Sequence, residues 1–148
     1  MTTYCFDTDV LSATMRRDPP LHLIRLLAAT PPTAQCTTSI TLGELVYGAA
    51  KAGSDRLAER VREVVSGAVR VVSFDAAAAE VYGPLRAALE AGGKRLAEPD
   101  LRIASIALSL DLTLVTGNLR HFARVPGLHV EDWITVPPGT GPDPELPS

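Results

Sequence analysis

Acidic and hydroxyl side chains recur at four separated points of the chain. FDTDV puts Asp7 and Asp9 where an apolar run ends, TLGELV carries Glu44, EPDLR carries Asp100, and LVTGN closes on Thr116, Gly117 and Asn118. Each has a structural use by itself. Asp7 or Asp9 can cap a following helix, Thr41-x-x-Glu44 has the form of a capping box, and Asp100 behind Pro99 complements the positive end of a helix dipole. Brought together, the same acids have a chemical use. Carboxylates converging near neutral pH repel one another and force protonation of at least one, unless a hard cation is bound. An all-oxygen set favours Mg²⁺ or Mn²⁺ over zinc, and such an ion activates water for attack on a phosphodiester.

The elements that must position these groups alternate between strand and helix. Residues 3–6, 35–40, 69–74, 113–116 and 128–133 read as strands from their β-branched and apolar runs. Residues 10–15, 21–29, 41–53 and 54–67 read as helices, the last with Ser54 as N-cap and Gly67 as its stop. Asp75 caps a long alanine-rich helix ending near Gly92 and Gly93. Asp100 opens a further helix with Ile103, Ile106, Ala107 and Leu110 on one face. This order predicts an α/β fold, a sandwich around a mostly parallel sheet of four to five strands. Ligands in such sheets bind outside the carboxyl ends of the strands. On that rule Asp7, Glu44, Asp100 and the Thr116–Asn118 turn converge on one edge, whereas Asp111 and Asp132 read as solvated loop positions.

The composition narrows the function classes. The 148 residues, 46% hydrophobic and 21% charged, suit a single domain with one sizeable core. Residues 1–136 read as that domain, and the Pro/Gly-rich residues 137–148 read as a disordered tail. No leader or membrane-length apolar run is present, which predicts a soluble, cytoplasmic protein. Cys5 and Cys36 lie in strand-like runs and read as core; His22, His121 and His129 lack ligand spacing, so no zinc motif is present. A net charge of -3 provides no general field for nucleic acid. A polyanion must therefore be held locally.

FDTDVL, LGELVYG, EPDLRIASIAL and LVTGNLRHFARVPGLHVEDW, in that order, resemble the PIN-domain nucleases, and within them the VapC-type toxins of bacterial toxin–antitoxin (VapBC) pairs. The resemblance spans nearly the whole chain apart from the tail. It implies a PIN-like three-layer α/β/α sandwich and a Mg²⁺-dependent endoribonuclease, with Mn²⁺ able to substitute. Asp7 and Asp100 would then be the first metal ligands, and Glu44 a further ligand or the group orienting the attacking water. Thr8 and Thr116 would supply supporting hydroxyls. Asn118 takes the polar position after the fourth strand. Products would carry 5′-phosphate and 3′-hydroxyl ends. Family members often hold a fourth acid in the last loop, but here Asn118 is neutral and His121 stands where an acid is common. That departure points to one metal rather than two.

Lys94, Arg95, Arg102, Arg120 and Arg124 flank these motifs in sequence and are candidates for contacts to RNA phosphates, which supply affinity rather than sequence reading. With 5% aromatic residues the chain lacks a stacking platform, so a structured RNA recognised by shape fits better. The resemblance also implies a homodimer and a small VapB-type antitoxin that blocks the acidic site, with LHLIRLLAA and LVYGAAKAG as an apolar groove for it. Two other functions fit part of the pattern. A haloacid-dehalogenase-like phosphatase would use FDTDV as nucleophile and acid, but it needs a lysine, and none follows Thr116. A PIN-like RNA- or partner-binding module that has lost catalysis would account for the neutral Asn118.

Overall fold

The computed structural model describes residues 1–67 and 69–135; the expected tail at 137–148 lies outside the described residues. Five short strands, β1 (Tyr4–Phe6), β2 (Gln35–Thr38), β3 (Arg70–Val72), β4 (Thr113–Val115) and β5 (His129–Glu131), form one sheet in the order β3-β2-β1-β4-β5. Every neighbouring pair is parallel, with Tyr4 in register with both Gln35 and Thr113. An all-parallel sheet needs a helical crossover between successive strands, and the chain supplies them. Helices α1 (Thr8–Thr14) and α2 (Leu21–Ala29) precede β2, α3 (Ser39–Ala52) and α4 (Asp55–Ser66) precede β3, α5 (Ala76–Ala91) and α6 (Glu98–Ser109) precede β4, and the short α7 (Leu119–Phe122) precedes β5.

The period of two along each strand divides the core into two halves. Cys5 and Leu114 face a cluster with Cys36, Ile103, Ala107 and Phe122, while Phe6 and Val115 face one with Val10, Leu23, Leu45 and Trp133. Helices therefore cover both faces, and the sandwich expected from the sequence is the observed architecture. Cys5 and Cys36 are buried free thiols, as expected. No helix among the described residues is long and apolar enough to cross a membrane.

Several boundaries differ from the sequence reading, each for a local reason. The second strand stops at Thr38 instead of residue 40. The Thr38 hydroxyl accepts from the Thr41 amide at 3.1 Å and so caps α3, pulling Ser39 and Ile40 into the helix. Thr41 is thus not a cap, and no Thr41–Glu44 capping box forms. The sixth helix begins at Glu98, two residues before Asp100, because Pro99 suits a first-turn position that needs no donor. Leu110, expected on its buried face, is the C-cap and 48% exposed. The caps at Ser54 and Asp75 are as expected, accepting from Leu57 N–H at 3.1 Å and Ala78 N–H at 3.0 Å. Gly53 ends α3 in the left-handed conformation with φ 62°, a geometry that costs glycine little.

Candidate active site

The strand order reverses between β1 and β4, which is where a doubly wound sheet opens a crevice at its carboxyl edge. Asp7 sits at that point. Its backbone amide donates to Val115 O at 2.9 Å, extending the β1–β4 ladder by one bond. Its side chain is buried, 6% exposed, and caps α1 by accepting from the Thr8 amide at 2.8 Å through Oδ1. The other oxygen, Oδ2, accepts from the Thr116 hydroxyl at 2.8 Å. Thr116 in turn accepts from the Asn118 amide at 3.0 Å, so one hydroxyl ties the acid to the turn leaving β4.

Glu44 reaches the same edge from α3. Its Oε1 accepts from the Thr8 hydroxyl at 2.7 Å, and Thr41 and Thr38 stand behind in a chain of hydroxyl contacts at 3.4 Å each. Asp100 lies half-buried in the first turn of α6, facing the positive end of that helix. Asp9 is not a cap. Its Oδ2 accepts from the Gly117 amide at 2.9 Å, while its Oδ1 is buried without any hydrogen-bond partner. A side chain on Gly117 would put a Cβ 2.6 Å from that Oδ2, so the Asp9 carboxylate would have to move aside. Beyond the turn, Asn118 Oδ1 lies 2.6 Å from His121 Nδ1.

The electrostatics couple several of these positions. Burial pushes the Asp7 carboxyl up to about 6, and the charges of Asp9 and Asp100 push the same way against the Thr116 and Thr8 hydrogen bonds. Asp9 is also raised, first by burial and then by Asp132, against the amides of Gly117 and Val10. Asp100 is raised by burial, by Glu44 and by Asp9, and lowered by His121. The acids therefore sense one another in pairs across the crevice. Among the described residues they do not close into a group of three or more poised around one ion.

Compared with known proteins, the PIN domain family matches residues 4–128. The tRNA(fMet)-specific endonuclease VapC of Shigella flexneri is 37% identical over 136 residues, covering 90% of this chain and 99% of its own. The chain belongs to the PIN-domain family of VapC ribonuclease toxins. Among solved structures, VapBC2 from Rickettsia felis bound to a DNA fragment from its promoter aligns at 29% identity, covering 89% of this chain and 99% of the other with a TM-score of 0.78. DNA-bound VapBC from Salmonella typhimurium aligns at 36% identity over 90% and 99%, with a TM-score of 0.74. PIN membership removes the haloacid-dehalogenase alternative.

Within this VapC-family fold, Asp7, Thr8, Glu44, Asp100, Thr116 and Asn118 all reach the carboxyl edge of the sheet. The basic candidates are placed differently. The Arg102 Nε lies 3.1 Å from Glu98 and its guanidinium 5.8 Å from the Phe74 ring centroid, while Arg95 approaches Glu90 at 3.9 Å. Arg124 donates to the Arg95 carbonyl at 3.0 Å. Lys94 and Arg120 are exposed and form no ion pair among the described residues. Sequence reasoning missed the clamp from Asp9 to Gly117 and the threonine relay behind Glu44. The run TTSIT, polar just where a strand should be apolar, was the available signal for the relay.

Proposed function

We propose that the chain is a Mg²⁺-dependent endoribonuclease that hydrolyses a structured RNA at the crevice around Asp7, and that a cognate antitoxin silences it. The main support is Asp7 itself, a carboxylate kept out of water at the topological switch point with the charges of Asp9 and Asp100 on it. Such a group is held away from its ordinary acidity until a cation compensates the desolvation. The Asp9 Oδ1, buried without a donor, adds an acceptor open to a cation. An all-oxygen donor set of this kind fits Mg²⁺, or Mn²⁺ in its place, and Asp7, Asp100 and Glu44 are the residues that would hold it. When bound, the ion lowers the pKa of water and offsets charge on the phosphodiester.

The chain's own groups do the rest. Thr116 and Thr8 fix both Asp7 oxygens, so the carboxylate is aimed before substrate arrives. Thr8 holds Glu44 Oε1, which leaves Oε2 to take the proton of the attacking water. The Asn118 amide N–H₂ offers donors to a phosphate oxygen, its carbonyl end being turned to His121. With Asn118 neutral, one ion suffices for the reading.

The antitoxin's place is the apolar groove between α3 and α4, lined by Leu42, Val46, Ala49, Ala58, Val61 and Val65, with a cavity volume of about 660 Å³; LVYGAAKAG lines it as expected, whereas LHLIRLLAA contributes no residue and α4 forms the second wall. Val46 is 52% exposed there. An amphipathic helix laid into such a groove buries its apolar stripe. The reading is tested by expressing the chain alone and with its cognate antitoxin, then mapping RNA 5′ ends in the cell. New ends that vanish with the antitoxin and in Asp7→Asn support it. If the purified protein binds RNA but leaves it whole with either metal, the binding-module reading replaces it.

A further inference from the structure

Four arginines meet in a cleft at the far end of α1 from the acids. Arg16 and Arg17 follow the last turn of α1, and Arg56 and Arg60 stand one turn apart on α4; with Thr14 and Ser54 they line a cavity of about 840 Å³. All four are exposed, and none forms an ion pair with a carboxylate among the described residues. Arg86, Arg95 and Arg102 differ, being drawn to Glu90 and Glu98.

Unpaired guanidinium groups gathered in one cleft repel, and like charges at i, i+4 destabilise a helix. An anion between them reverses the sign of that interaction. Guanidinium forks match phosphate oxygens two at a time, so the chemistry that fits best is a phosphate-rich one. The chain is an acidic protein at net charge -3 and has no general field to hold a polyanion. The seven residues of α1 separate the cleft from Asp7 by about 10 Å, roughly three steps of a nucleic-acid duplex strand. We infer that this cleft binds backbone phosphates of the RNA substrate away from the scissile bond, an inference that rests on the ribonuclease reading above. Its role is affinity and orientation of a folded RNA, not base reading.

The test uses the full chain with Asp7→Asn, so that RNA is held without being cut, and unfractionated transfer RNA as the probe. Binding is titrated at several salt concentrations with Arg16, Arg17, Arg56 and Arg60 intact or all changed to Gln. A control changes Arg25, Lys51, Arg62 and Arg70 to Gln, an equal loss of charge elsewhere. Melting temperature is followed for each protein; the four cleft substitutions are on exposed side chains and relieve repulsion, so folding is retained. The cleft variant is expected to bind about 100-fold more weakly near 0.15 M salt, with the slope of log K against log salt shallower by roughly 3, and the control to change little. Equal losses in both variants, or none in the cleft variant, overturn the inference while leaving the ribonuclease reading intact. Unchanged RNA binding with weakened antitoxin binding assigns the cleft to an acidic protein segment and likewise overturns it. Absence of RNA binding by the Asp7→Asn parent brings down the ribonuclease reading and the cleft together.

Discussion

The Thr116 hydroxyl donates to Asp7 Oδ2 at 2.8 Å across 109 positions of sequence, joining the end of β4 to the end of β1. The contact ties the two strand ends together where the sheet order reverses. Thr116→Val keeps the shape but removes the donor to Asp7 and the acceptor for the Asn118 amide. Thermal unfolding should show a loss of about 1–3 kcal/mol, since the buried Asp7 oxygen is left without its donor and the half-buried Asn118 amide without its acceptor. RNA cleavage should fall roughly 10- to 100-fold, the effect expected of a residue orienting the carboxylate proposed to hold the metal, and Thr116→Ser should restore most of it.

Asp7 makes stability depend on pH in an unusual direction. Its folded pKa of about 6 lies above the ordinary aspartate value of 3.8, so the folded state binds the extra proton. Its contribution to stability is therefore greatest below about pH 4, falls as pH rises to about 6, and stays lower above it, by roughly 3 kcal/mol. Raised values at Asp9 and Asp100 act with the same sign. Denaturant unfolding of metal-free protein at pH 5 and pH 7.5 should give the higher stability at pH 5. Mg²⁺ should narrow the gap by stabilising the ionised site, and Asp7→Asn should shrink it while reducing cleavage by at least about 100-fold. A protein equally stable at both pH values would contradict the burial of this charge.

Gly117 is held against Asp9. A Cβ there meets Asp9 Oδ2 at 2.6 Å and Ile134 Cδ1 at 3.3 Å, so Gly117→Ala must displace the Asp9 carboxylate and break its bond to the Gly117 amide. A cost of about 1–2 kcal/mol in denaturant unfolding is expected. Asp9→Ala should make Gly117→Ala less damaging in a double-mutant cycle, the sign of a direct clash.

Val46 lies on the exposed wall of the α3–α4 groove and belongs to no catalytic contact. Val46→Glu puts a charge into an apolar seat. Cleavage of RNA by the free protein should be unchanged, whereas affinity for the antitoxin, measured by calorimetry, should drop by about 10-fold or more. Equal antitoxin affinity in the variant would place the partner elsewhere.

The layer order and the parallel sheet were legible because parallel strands and their crossover helices leave strong periodic signals, and the carboxyl-edge rule then brings Asp7, Glu44 and Asp100 forward as candidates. What escaped was local competition for hydrogen bonds. Thr38 and Thr41 are equally good caps by residue type, and only the fold decides that Thr38 takes the cap and frees Glu44 for Thr8. Asp9 looked like a helix cap because its true partner, the Gly117 amide, lies 108 positions away. The arginine cleft was invisible for the same reason, since its two halves come from the end of α1 and the start of α4.

The most direct measurement is cleavage of transfer RNA by the purified chain across a Mg²⁺ titration, with EDTA and with Asp100→Asn run beside it. The account predicts cutting that rises and saturates with Mg²⁺, yields 5′-phosphate ends, and is lost in EDTA and in the variant. Cutting that persists undiminished in EDTA, or in Asp100→Asn at saturating Mg²⁺, would contradict it.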